Sequence, residues 1–435
     1  ATLGIGGAVL LTLARVMQGI AVGGEWGGSV LLAAEWSQRG GRGLAASWPQ
    51  WGAPAGLLLA NGAIALTTAS VGDDALASWG WRVPFLASTL LVGLGTRGRA
   101  PFKQVLTHGF LIDLEGRKMS KSLGNVLQPQ EIIKDSGADI LRLWVAMSDY
   151  REEIRISKEI LARVVEAYRK IRNTCRYLLA NLYDFDPATG CVPVAQLRDV
   201  DRFALARFAR MAIGVRASYE TYDFQTIFQA VNELVTVDLS SFYLDVSKDR
   251  LYTFRADSHD RRSAQTVQYL IADGLTRLLA PILSITADEV WKALPGTREA
   301  CVHLAEFPAH LDTWTDDGLE ARWTQLLDIR GIVNSALETA RQQKLIGSAL
   351  GAHVTVKASG DRLALLREYA SELPMFFITS SVTVAEGPAD QTSVDVSPAS
   401  GDKCPRCWRL VTETVPDGPH AGLCLRCDDA IGGAR

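Results

Sequence analysis

Four cysteines near the C-terminus have the spacing best suited to chemistry. Cys404-Pro-Arg-Cys407 is followed, after residues 408–423, by Cys424-Leu-Arg-Cys427. Two Cys-x-x-Cys knuckles at that separation can set four thiolates tetrahedrally around one Zn²⁺. Four sulfurs leave no position for water, so the metal is expected to be structural. The surrounding tail has almost no core, so metal binding would supply its folding energy. Two disulfides or an iron–sulfur cluster are the alternatives, and a reducing compartment disfavours the first. Cys175, Cys191 and Cys301 show no ligand spacing. Lys403, Arg406, Trp408, Arg409 and Arg426 surround the knuckles. Cations with an aromatic suit a single-stranded RNA loop, through phosphate contacts and base stacking. The other reading has Trp408 packed beneath the knuckle.

A second constellation is Lys118-Met119-Ser120-Lys121-Ser122, with Gly116 and Gly124 on either side as hinges. Two ammoniums and two hydroxyls on a mobile loop suit a polyphosphate, because lysine is a compact charge that can follow a leaving pyrophosphate. By residue type alone, a solvated Lys-Ser loop is the bland alternative. Phe110–Ile112 reads as a buried strand before it, and Glu115-Gly116 as a turn.

The string Lys118–Ser122 resembles the signature loop of class I aminoacyl-tRNA synthetases. Gly137-Ala138-Asp139-Ile140-Leu141-Arg142-Leu143-Trp144, Ser148-Asp149-Tyr150 and Tyr168–Thr174 are similar to the isoleucyl-tRNA synthetase family. So are Lys248-Asp249-Arg250-Leu251-Tyr252 and Lys344–Ser348, and the resemblance runs from about Ala100 to Ala430. It implies Lys118 and Lys121 as catalytic residues. It implies ATP with Mg²⁺ held by Met119, Ser120, Lys121 and Ser122, and isoleucine and tRNA(Ile) as partners of a cytoplasmic monomer. Contacts to the tRNA are expected from Arg406, Trp408 and Arg409. In that family the nucleotide fold begins with His-x-Gly-His. None of the six histidines here sits in that pattern. The amino-acid pocket and editing domain are not found either, so this chain is expected to keep tRNA and zinc binding without catalysis.

Elements must carry these motifs. From Ile154 to Leu182, apolar residues fall at Ile160, Val164, Tyr168, Ile171, Leu178, Leu179 and Leu182, which is helical spacing with one buried face. Further helices are expected at about Asp201–Tyr219, Phe224–Tyr243 and Ser263–Leu279. Thr286-Ala-Asp-Glu289 reads as a capping box that opens a helix through Leu294. Short loops between helices make a bundle, the anticodon-binding domain by resemblance. Trp323–Gln343 reads as a helix and His353–Lys357 and Ser381–Val384 as short strands, together a small α/β junction domain. Pro388–Gly401, rich in Ser, Pro and Asp, reads as a linker.

The first hundred residues differ in composition. Residues 1–102 contain no lysine, and their glycines and tryptophans are dense. Apolar stretches at Ile5–Val22, Trp51–Val71 and Val83–Gly95 read as membrane helices, the third too short for a ~30 Å hydrocarbon core. Buried helices of a soluble protein are the alternative. Arg39, Arg42, Arg97 and Arg99 would face the cytoplasm. Arg15-Val-Met-Gln18-Gly19, Gly23-Gly24-Glu25-Trp26-Gly27-Gly28 and Trp79–Phe85 resemble a metabolite:proton symporter of the major facilitator superfamily. Arg15 and Glu25 are then intramembrane candidates.

The whole chain has 435 residues, net charge −3 and 21% charged residues, which excludes wholesale disorder and bulk-basic nucleic-acid binding. The expectation is a mainly α chimera. It has transporter-like membrane helices over 1–96 and the end of a class I nucleotide-binding fold over 97–150. A helical anticodon-binding bundle covers 151–310, an α/β junction domain 311–390, and a linker with a zinc knuckle 391–435. A transporter fragment and a membrane-tethered tRNA-binding protein are the competing readings.

Overall fold

The computed structural model describes residues 58, 61–62, 65–70, 103–389 and 391–432, with the Lys121 side chain excluded. The chain divides into two units, Ala1–Thr107 and His108–Arg435. In the first, residues 65–70 are helical. Most of the three expected spans, with Arg15 and Glu25, lies outside the described residues. Among the described residues no helix is long and apolar enough to cross a membrane, so the three-span reading and membrane association have no support there.

The second unit opens with strand β1 (Leu111–Ile112). Helices α1 (Pro129–Ser136) and α2 (Ala138–Met147) cross over to β2 (Ile154–Arg155), which pairs parallel to β1 with Leu111 opposite Ile154. Parallel strands require such a crossover. Gly109 lets the backbones meet, because a Cβ there would lie 1.9 Å from the Glu152 carbonyl oxygen. The sequence reading placed Ile154 in the next helix. That helix, α3 (Lys158–Ala180), starts later because the Ser157 hydroxyl accepts the Ile160 N–H and caps it.

The bundle continues with α4 (Asp199–Glu220) and α5 (Phe224–Glu233). Wide π-type turns over Leu234–Tyr243 then lead without a break into α6 (Leu244–Thr253). Sequence reading ended this helix at Tyr243. α7 (His259–Leu279), α8 (Ser284–Ala293) and α9 (Asp317–Gln342) complete it. On α3, Val164, Ile171 and Leu178 are buried while Lys158, Arg163, Glu166 and Arg169 are exposed, as the periodicity predicts. Phe203 stacks on Trp323 with ring centroids 5.6 Å apart, and Phe376 meets the same indole edge-on at 5.5 Å. Each such buried aromatic contributes about 1.5–3 kcal/mol, and this cluster fuses α4, α9 and the junction domain into one core.

One ion pair sits inside that core. Arg250 on α6 and Asp201 on α4 are 1% and 0% exposed and 2.7 Å apart. The Tyr243 and Ser263 hydroxyls also donate to Asp201. A buried charge is tolerable only when paired and hydrogen-bonded, and here the carboxylate is saturated.

Helix α8 corrects the capping-box reading. Thr286 and Glu289 do not cap each other. The Asp139 carboxylate on α2 accepts the N–H groups of Ile285 and Thr286 at 3.3 and 2.7 Å and the Thr286 hydroxyl at 2.7 Å. Glu289 pairs instead with Arg172. Arg142, also on α2, donates to the carbonyls of Pro281 and Ile282. The segment Gly137–Trp144 therefore clamps the β1–β2 pair to the bundle.

The junction domain has a three-stranded sheet in the order β4 (Ser381–Glu386), β3 (Ala352–Ala358), β5 (Ser393–Pro398), with α10 (Gly360–Glu368) against it. β3 runs parallel to β4 and antiparallel to β5. β5 overturns the linker reading of 388–401: Val394 and Val396 alternate with polar residues and pair with Val356 and Val354. The C-terminal module follows with β6 (Asp402–Lys403) and β7 (Leu410–Val411), then α11 (Leu425–Gly432).

Candidate functional site

The four cysteines come together. Cys404, Cys407, Cys424 and Cys427 are all buried, and their sulfurs lie within 4.8 Å of one another. Cys407 Sγ and Cys424 Sγ are 3.8 Å apart. A tetrahedron of ~2.3 Å Zn–S bonds has edges of about 3.8 Å, so the donor set and its spacing fit zinc. The first knuckle is a closed turn. The Trp408 N–H donates to the Cys404 carbonyl and the Cys404 N–H to the Arg409 carbonyl, both at 2.9 Å. Trp408 has φ +63 within it. Burial works against the Cys404 thiolate, but N–H groups of Cys407, Cys424 and Arg406 outweigh it and bring the thiol down to about 6. Burial and the neighbouring sulfurs push Cys407 up to about 12. Four thiolates cannot share this space without a cation, so zinc binding releases protons. Leu423 and Val411 are the module's main apolar packing. This is a structural zinc site.

The cations around it divide by role. Arg426 grips Asp249 on α6 with two bonds of 2.7 and 2.8 Å, and Arg409 approaches the same carboxylate at 3.1 Å. Arg406 donates to the carbonyls of Thr253 and Tyr252. Arg406 and Arg409, expected at the tRNA, and Arg426 beside them all hold the module on the bundle. Trp408 is 61% exposed, with the Lys403 ammonium 5.7 Å from its ring centroid. The packed-beneath reading of Trp408 is thus excluded. Its ring is available for stacking.

The signature loop is held from beneath. Asn125 reaches back to donate to Asp113 at 2.9 Å and accepts the Ser120 N–H at 2.9 Å. Asp113 also accepts from the Arg117 backbone and guanidinium at 2.7 and 2.9 Å. The Asn125 amide, with Arg117 behind it, holds the Asp113 carboxyl down at about 2. Gly116 and Gly124 take φ +78 and +66, a left-handed conformation that a side chain resists. Lys118 is exposed and its ammonium sits 4.6 Å from the Phe110 ring centroid. Met119 packs on the core, and the Ser120 and Ser122 hydroxyls lie 3.1 Å apart. Lys121 begins a short 3₁₀ turn; its side chain lies outside the described residues. The metal set and the loop occupy separate places in the fold.

Sequence reading missed Asp113, Asn125, Asp139 and Asp249. Asp139 and Asp249 lie inside quoted motif strings, but nothing local says that their partners are far along the chain.

Comparison with known proteins follows this division of the molecule. The family described as "Anticodon-binding domain of tRNA ligase" matches residues 201–356, and "Zinc finger found in FPG and IleRS" matches 401–430. "tRNA synthetases class I (I, L, M and V)" matches 70–157. Isoleucine–tRNA ligase of Geobacter sulfurreducens is 47% identical over 392 residues, covering 88% of this chain and 40% of that protein. Those of Syntrophotalea carbinolica and Moorella thermoacetica are 49% and 46% identical, each with 38% of its length covered. This chain resembles the C-terminal portion of isoleucyl-tRNA synthetases. It spans about two fifths of the length of the curated relatives it matches. "Sugar (and other) transporter" matches residues 4–99, overlapping the class I synthetase match over residues 70–99. A solved LeuRS–tRNA complex from Agrobacterium radiobacter K84 is 18% identical with a TM-score of 0.44, covering 55% of this chain and 28% of that one, too distant to add to the argument.

Proposed function

We propose that this chain serves isoleucine–tRNA ligation, the ATP-dependent attachment of isoleucine to tRNA(Ile), and that it supplies the part that holds the tRNA. One observation carries the reading: a helical bundle matched by the anticodon-binding family bears a zinc module seated on α6, and the module presents Trp408 outward. An exposed ring beside the Lys403 ammonium offers a stacking platform and a phosphate contact to an unpaired RNA loop. Arg406 and Arg409 serve the RNA indirectly, by fixing where that ring stands. In the intact ligase, Lys118 and Lys121 face ATP–Mg²⁺, with Met119, Ser120 and Ser122 shaping the loop. The ammoniums follow charge onto the departing pyrophosphate. The ligase works as a cytoplasmic monomer.

These 435 residues contain no His-x-Gly-His, the element that the family pairs with the signature loop on ATP, so nucleotide activation is assigned to residues beyond them. The test measures binding of radiolabelled tRNA(Ile) and of an unrelated tRNA by the 435-residue chain, alongside isoleucine-dependent ATP–pyrophosphate exchange. The expected result is salt-sensitive preference for tRNA(Ile), weakened by Trp408→Ala, with no exchange. Equal affinity for both tRNAs defeats the holding role. Measurable exchange defeats the claim that catalysis needs residues beyond these.

A further inference from the structure

The zinc module is tied to α6 through arginines that its own knuckles carry. Arg406 lies between Cys404 and Cys407, Arg409 two residues beyond Cys407, and Arg426 between Cys424 and Cys427. Both knuckles thus contribute, and four-sulfur coordination sets the distance between them. On the receiving side, Asp249 accepts Arg426 and Arg409, and the Thr253 hydroxyl donates to Asp249 at 2.8 Å while accepting Arg426 at 3.2 Å. Arg406 meets the last carbonyls of α6, which have no partner within the helix. The Phe254 ring lies 4.8 Å beneath the Arg426 guanidinium.

Charge explains why arginines fill this seam. Four thiolates around Zn²⁺ carry a net charge of −2, and Asp249 adds another negative charge across the seam. Arg409 interacts electrostatically with Asp249 and with the Cys407 and Cys424 sulfurs, and Arg426 with Asp249 and with the Cys407 and Cys427 sulfurs. Asp249 is only 20% exposed, and although burial opposes its charge, Arg426 and Arg409 keep it ionised.

We propose that Asp249 and the C-terminal carbonyls of α6 form a dedicated receiving site for the zinc module, so that metal binding and docking are one coupled equilibrium. Without the metal the two knuckles lose their fixed separation and cannot present three guanidiniums together. Without Asp249 the guanidiniums of Arg409 and Arg426 lose the carboxylate that fixes them in the seam beside the four-sulfur centre, and zinc is held less tightly. The effects are equal by reciprocity. Outer contacts of this kind typically change metal affinity by about 10–100-fold. The inference rests on the zinc site and not on RNA binding.

The experiment uses the full chain. Zinc affinity is read by competition with a chromophoric chelator, and amide hydrogen exchange is read over residues 244–254 with and without the metal. Asp249→Asn should bind one zinc about 10–100-fold more weakly, while Asp245→Asn, on the same helix but outside the seam, should bind as the wild type does. Metal removal should speed exchange at the end of α6 in the wild type and change it little in Asp249→Asn. Arg426→Gln reads the same seam from the module side. Its combination with Asp249→Asn should cost no more than the larger single change, and it decides the matter if Asp249→Asn fails to fold. Wild-type zinc affinity in Asp249→Asn, or α6 exchange indifferent to the metal, overturns the proposal, as do additive losses in the double variant.

Discussion

Asp249 and Arg250 are neighbours on α6 and belong to two different regions. Arg250 points into the bundle, where Asp201, Tyr243 and Ser263 close around the pair and water has no access. Asp249 points out to the seam, where Arg409 and Arg426 come from the zinc module. Both regions use a carboxylate gripped by guanidinium. In the interior the pair has no alternative partner, so losing one member strands a charge. At the seam each member can return to water when the module lifts. The same chemistry is a fixture in one place and a releasable contact in the other.

The sharpest way to break this contrast is Arg250→Met. It leaves Asp201 buried and unpaired, and the bundle should lose about 3–5 kcal/mol, seen as a lower urea midpoint by tryptophan fluorescence. In the zinc-free chain, where the module no longer holds its three guanidiniums together, Asp249→Asn should move that midpoint by less than about 1 kcal/mol. Equal midpoints for the two variants would erase the distinction. The seam between α2 and α8 falls between these cases. Asp139→Ala removes a helix cap worth about 1–2 kcal/mol, and exchange should quicken first at Ile285 and Thr286. The smallest effect belongs to the signature loop, where Asp113 is held by Asn125 and Arg117 on an exposed turn. Its carboxyl lies at about 2 instead of its usual 3.8, so its contribution is full above about pH 4 and is lost as pH falls through 2. Protection of the Arg117 and Ser120 amides should fade over that window, and Asn125→Ala should raise its midpoint.

How much could be read in advance follows the range of each interaction. The cysteine set was legible because four residues of one type at fixed spacing carry their geometry with them. The loop Lys118–Ser122 and its two glycines were legible for the same reason. Helices α3, α4, α7 and α9 announced themselves through 3.6-residue periodicity. The misses are pairings across the chain. Thr286-x-x-Glu289 has the spacing of a capping box, yet a carboxylate from position 139 took the N–H groups first. In Ser393–Pro398 the polar composition hid a two-residue alternation, and pairing with β3 decided the matter. Arg406 and Arg409 read as tRNA contacts from local composition, and nothing local reveals that Asp249 and the end of α6 stand opposite them. The π-type turns over Leu234–Tyr243 have no local signature in the sequence that this reading could use.

The left-handed backbone at Trp408 sets a trade-off for anyone redesigning the module. A bulky residue held at φ +63 forgoes about 1–2 kcal/mol that glycine would recover. Trp408→Gly should therefore tighten the knuckle while stripping away its outward ring. A library screened for module stability alone would drift toward losing the very side chain proposed to stack on RNA. Selecting for zinc retention and for RNA affinity would pull position 408 in opposite directions.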